Sequence, residues 1–119
     1  MDEKLAIKAL ASLAQEHRLR IFRLLVCEGT NGMHASAIAD AVRISRTSVS
    51  FHLKELEQGG LLWSWREGRN IRYAIAVNAV REFLVFLTED CCQGRPEICR
   101  PAAINMEEFC CGYREDENV

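Results

Sequence analysis

The feature that most constrains the fold is a change of hydrophobic period in mid-chain. Up to Gly59 the apolar residues recur at helical spacing; after Gly60 they alternate. From Ser45 onward, Val49, Leu53 and Leu56 mark one stripe of a helix that runs to about Gln58. Ser45 is placed to cap it, its hydroxyl accepting from a free backbone N–H of the first turn. Gly59-Gly60 stops it, as glycine does past a helix end. Leu62, Ser64 and Arg66 then alternate with Trp63 and Trp65. Beyond Glu67-Gly68-Arg69-Asn70, the residues Ile71, Tyr73 and Ile75 fall on one face, which makes a β-hairpin with a charged tip.

The remaining elements follow the same reasoning. A short helix over about 35–42 has Ile38 and Val42 inward, and Arg43-Ile44 links it tightly to the capped helix. Residues 4–14 are helical, with Leu5, Ala9, Leu10 and Leu13 recurring at helical spacing. Residues 17–27 are helical, with Leu19, Phe22, Leu25 and Val26 inward and Arg18, Arg20 and Arg23 outward. Two glycines mark residues 28–32 as a loop. Residues 78–90 return to helix on a stripe of Val80, Phe83, Leu84 and Leu87. The class is mainly α with a β-hairpin (α+β): a winged helix-turn-helix over residues 1–90. Residues 91–119, dominated by Gly, Pro and acids, form an irregular, partly mobile tail ending in a solvated Glu115-Asp116-Glu117. A chain of 119 residues often completes its core by pairing with a copy of itself. No apolar run approaches the roughly 20 residues of a membrane span, and no basic-then-apolar leader opens the chain. A soluble, cytoplasmic protein with no membrane partner is expected.

The net charge of -2 hides a division along the chain. Residues 43–80 carry Arg43, Arg46, Lys54, Arg66, Arg69 and Arg72 against three glutamates, whereas residues 81–119 are strongly acidic. The local excess governs attraction to phosphate, because salt screens charge beyond about 8–10 Å. A helix reads DNA through small polar and basic residues at its N-terminal end in the major groove. The helix from Ser45 supplies Arg46, Thr47, Ser48, Ser50, His52 and Lys54 around its apolar stripe. His52 has two readings, a phosphate contact or packing near the core. The hairpin adds Arg66, Arg69 and Arg72 for phosphates or the neighbouring minor groove. Trp63 and Trp65 are read as hairpin packing residues rather than base-stacking platforms. Double-stranded operator DNA is the expected partner. No Cys-x-x-Cys, Gly-rich nucleotide loop or interpretable Ser/His/Asp set points to an enzyme.

The run His17-Arg18-Leu19-Arg20-Ile21-Phe22-Arg23-Leu24-Leu25 resembles the signature second helix of the ArsR/SmtB family of metal-responsive repressors. The run from Ser45 through Val49 and His52 to Leu56 resembles its recognition helix. Gly60-Leu61 and Gly68-Arg69 are similar to the start and tip of its wing. The likeness covers about residues 8–90. It implies a homodimer joined by the first and last helices, bound to a palindromic operator and released by an inducer. The family's arsenic type often carries Cys-x-Cys before the recognition helix, but Met33-His34-Ala35-Ser36-Ala37-Ile38 has no cysteine. Its zinc type uses histidines on the last helix, and residues 78–90 have none.

The thiols lie elsewhere. Five of six cysteines fall in the last 29 residues: Cys91, Cys92, Cys99, Cys110 and Cys111. In a reducing cytosol such a cluster reads as metal-binding or redox-active. Adjacent Cys91 and Cys92 are poorly placed to bond each other, which leaves both for a shared ion. Gly94 and Pro96 favour a turn that folds Cys99 back toward them. Three thiolates suit a soft centre, and trivalent arsenic or antimony takes about three sulfurs. Zinc or cadmium, usually wanting four ligands, stands as a rival with Cys110 or Cys111 as the fourth. A disulfide, for example Cys99 to Cys91, is the redox alternative on the same fold. Cys27, at a helix end among apolar residues, is read as a small buried hydrophobe.

Overall fold

The computed structural model describes residues 1–90. Asp2 caps α1 (Glu3–Leu13), its side chain accepting from the Leu5 N–H at 2.8 Å. Gln15 caps α2 (Glu16–Glu28) through the Arg18 N–H in the same way. A 3-10 turn (Gly29–Asn31) leads into β1 (Met33–His34), then α3 (Ala35–Val42) and α4 (Arg46–Gln58). The α3–α4 turn places Arg43 in the left-handed region, at φ 59°. β2 (Leu62–Glu67) and β3 (Asn70–Ile75) form the hairpin, and α5 (Val77–Val85) continues into a π-helical turn, Phe86–Asp90.

All strand pairs are antiparallel, in the order β1-β3-β2. Glu67 pairs with Asn70 across a two-residue loop. Within that loop only Gly68 has positive φ, the pattern of a type II′ turn with glycine at its first position. The core lies where α2, α3 and α4 meet the hairpin: Ile21, Leu25, Ile38, Val49, Leu53, Leu56 and Leu61 are fully buried. The capped helix, its three-residue stripe, the Gly-Gly stop and the hairpin turning at Gly68-Arg69 all match the sequence reading. The protein is mostly helical with a small antiparallel hairpin.

Several sequence expectations are corrected. Of the apolar residues at helical spacing in α1, Ala9 is buried, with Ala6 and Ser12 beside it, whereas Leu5 and Leu10 are exposed. Close approach of α4 explains the preference for small residues: a Cβ built on Gly59 would lie 2.4 Å from the Ser12 hydroxyl. Leu19 is also exposed, and Ile21 takes the central place assigned to it. Arg18, read as outward, turns in to meet Glu55 of α4 at 3.6 Å and is only 17% exposed. Cys27, read as buried, is exposed near the end of α2. Met33-His34 adds a third strand that no local period reveals. In the last helix the apolar stripe is divided: Val80 and Phe83 are buried and Leu84 is exposed. The cysteines Cys91, Cys92, Cys99, Cys110 and Cys111, and the tail reading as a whole, lie outside the described residues. No helix of the described residues is long and apolar enough to cross a membrane.

Candidate nucleic-acid interface

One side of α4 is committed to the core and the other is open. Val49, Leu53 and Leu56 are buried, whereas Arg46, Thr47, Ser48, Ser50, Phe51, Lys54 and Gln58 are exposed. The helix therefore presents hydroxyls and cations over its first three turns. Ser45 is occupied as the cap: its hydroxyl accepts from the Ser48 N–H at 3.1 Å and donates to the Ser48 hydroxyl at 3.0 Å. This closes the first turn; Arg46, Thr47, Ser50, Lys54 and Gln58 are the exposed polar side chains of α4 outside that cap. At the hairpin, Arg66 and Arg69 are exposed beside the Gly68 turn. None of Arg46, Lys54, Arg66 and Arg69 enters an ion pair among the described residues.

Two residues grouped with these by sequence are employed differently. Arg72 lies on β3 opposite Trp65, midway along the hairpin. Its Nε donates to Glu67 Oε1 at 3.1 Å, and its Nη1 donates to the carbonyls of Asn31 and Gly32 at 3.0 and 3.2 Å. His34 of β1 completes the group, 2.9 Å from the same Glu67 oxygen. Hydrogen bonds from His34, Trp65 and Arg72 pull the Glu67 carboxyl down to about 2. Close packing accompanies this link: a Cβ on Gly32 would lie 2.3 Å from the Tyr73 carbonyl oxygen, and Gly32 has φ +66°. From the other side, the Ser64 hydroxyl donates to Glu57 of α4 at 2.9 Å. Wing, α2–α3 loop and recognition helix are thus bonded into one unit.

His52 is the second. Its ring is half-buried between α4 and α2, 5.7 Å from the His17 ring, and its Nδ1 is buried without a hydrogen-bond partner. Burial, with His17 and Arg18 alongside, holds its pKa below the ordinary value of 6.5. The packing reading of His52 therefore describes its surroundings better than the phosphate reading.

Trp63 and Trp65 stack on each other at 4.4 Å between ring centres, and the Trp65 indole N–H donates to Glu67. They pack along the hairpin, although Trp63 keeps half its surface in solvent. Phe51 is exposed among the polar groups of α4, at an angular position opposite the buried stripe on a 3.6-residue turn.

Comparison with known proteins agrees with this geometry. A family profile described as a helix-turn-helix domain matches residues 13–62. The chain is similar to the homodimeric winged helix-turn-helix DNA-binding domain of a possible ArsR-family transcriptional regulator from Mycobacterium bovis. Identity there is 34%, over 73% of this chain and 80% of that one, with a TM-score of 0.60. It is similar to an ArsR-like transcriptional regulator from Rhodococcus sp. RHA1 at 27% identity, over 87% and 92% of the two chains, with a TM-score of 0.65. A DNA complex of MepR from S. aureus is 16% identical over 89% and 91%, with a TM-score of 0.54, and shows the fold alone. No curated protein matched. The shared fold, the helix-turn-helix match and the identity to the M. bovis domain across most of its length place this chain in the ArsR family of DNA-binding, winged helix-turn-helix transcriptional regulators.

Proposed function

We propose that the chain acts as a homodimeric repressor, released from its operator when Cys91, Cys92 and Cys99 bind trivalent arsenic or antimony. The observation that carries this reading is the run of α5 through its π-helical turn to Asp90, directly before Cys91-Cys92. A ligand held by those thiols would act on the end of a helix that leaves Val77, Leu84 and Val85 exposed. Leu5, Ile7 and Leu10 of α1 are exposed too. Uncovered apolar surface of this kind marks association sites, which supports pairing of two copies through α1 and α5. The M. bovis domain is a homodimer.

In the proposed mechanism, each subunit docks α4 in the major groove and the wing tip on the backbone. The two recognition helices then stand about 34 Å apart, one turn of DNA. Ser45 caps α4, Arg46, Thr47, Ser48, Ser50 and Lys54 face the groove, and Arg66 and Arg69 meet phosphate. Each of the three thiols replaces one hydroxyl of arsenous acid and releases one water. Drawing them together distorts the end of α5 and changes the angle between subunits. A tenfold loss of DNA affinity needs only about 1.4 kcal/mol of coupling. Among the described residues, no three His, Cys, Asp or Glu side chains form a metal-binding group.

A fluorescence-anisotropy release assay tests the reading, with arsenite, antimonite, methylated arsenite, zinc, cadmium and peroxide as arms. Arsenite should free DNA from the wild type and fail to do so in Cys91→Ser, Cys92→Ser and Cys99→Ser. Release that persists in all three variants would refute the site. Release by zinc, cadmium or peroxide alone would reassign the signal.

A further inference from the structure

We propose that Phe51 is a base-reading residue, placing its ring against the C5 methyl group of a thymine in each operator half-site. The inference rests on the DNA-binding reading of α4 and specifies what that surface recognises. A single exposed aromatic residue carries little meaning by itself, since scattered apolar side chains are normal on protein surfaces. The position of this one is informative. Successive residues of an α-helix are turned by about 100°. Phe51 therefore lies opposite the direction shared by Val49, Leu53 and Leu56, at the centre of the outward face. Thr47 stands one turn before it, Lys54 one turn after it, and Ser50 beside it. It is 58% exposed, and it is the one apolar residue among those that α4 exposes.

The chemistry of the groove supplies a match. Four base-pair orientations present hydrogen-bonding groups in the major groove, and thymine alone adds a methyl. A phenyl ring set against that methyl buries it, whereas cytosine carries only a hydrogen at the same ring position, so the contact favours thymine over cytosine. Hydroxyls and cations around the ring are free to bond phosphates and neighbouring base edges. The ring is also braced. Phe51 meets the His52 ring edge-on, at 5.7 Å and 63°, and His52 in turn lies against His17 of α2. A side chain propped from the body of the domain meets its target with less freedom to lose.

The test uses full-length protein and duplexes it selects from a random-sequence library. Each thymine of a selected half-site is replaced in turn by uracil, which removes only the methyl group. One uracil position should weaken wild-type binding about fourfold, the worth of one buried methyl. In Phe51→Ala that penalty should vanish, and in Phe51→Leu part of it should return. The salt dependence of binding should be the same in all three proteins, because Phe51 carries no charge. An equal uracil penalty in wild type and Phe51→Ala, or a uracil scan silent at every position, would overturn the assignment while leaving DNA binding intact. Failure to select any duplex would overturn the assignment together with the reading on which it rests.

Discussion

His52 shows how one side chain turns packing into a pH response. Its imidazole is half-buried, faced by His17 and Arg18 of α2 and by Glu55 of its own helix, with burial the largest influence on its pKa. Folding thus favours the neutral ring. The unfolded chain binds more protons at pH values below the ordinary 6.5, so stability falls as pH drops through and below that value and is fully kept above it. Urea unfolding at about pH 7.5 and pH 5.5 should show this fall in the wild type and a smaller one in His52→Gln. Equal pH dependence in the two proteins would place the effect elsewhere. Glu67 acts in a lower range, because its hydrogen-bonded carboxylate loses stabilisation only as pH falls below 4.5 toward about 2. Sequence gave His52 two readings because a helical wheel sets it at the border of the buried stripe. Only the neighbouring helix decides which side it joins.

The secondary-structure elements were legible to the extent that their signals are local. Ser45, the Val49-Leu53-Leu56 stripe and Gly59-Gly60 define α4 from within a dozen or so residues, and the alternation around Gly68 defines the hairpin the same way. The strand Met33-His34 is two residues long and exists by pairing with Tyr73 and Arg72, far along the chain, so no period announces it. Arg18 and Arg72 look like surface cations in sequence for the same reason: their acceptors belong to other elements. This distinction separates two hairpin arginines by experiment. Arg72→Met should cost about 1–2 kcal/mol of stability, read by urea unfolding, because it strips donors from the Asn31 and Gly32 carbonyls. Arg69→Ala should leave stability unchanged and lower the salt dependence of DNA binding by about one phosphate's worth. The reverse pattern would show that the roles are exchanged.

For the whole molecule, helical spacing alone does not tell which apolar residues face the core of the chain. Leu5, Leu10 and Leu84 have helical spacing, yet they are exposed while Ala6, Ala9, Val80 and Phe83 are buried. A pattern along one helix cannot distinguish a core within a subunit from a core between subunits. If two copies pair there, Leu10→Glu combined with Leu84→Glu should give a monomer by sedimentation velocity. Operator affinity should then drop about a hundredfold or more, as two linked contacts become one. A double variant that still sediments as a dimer would move the interface to another surface.

The bonds from Arg72 to Asn31, Gly32 and Glu67 tie the hairpin to the α2–α3 loop, and the bond from Ser64 to Glu57 ties it to the recognition helix. In the homodimer proposed above, each subunit would carry its DNA-facing relief as a single stamp. A signal arriving from elsewhere in the chain has little means of reshaping that stamp; what it can alter is the spacing and tilt at which two stamps are pressed.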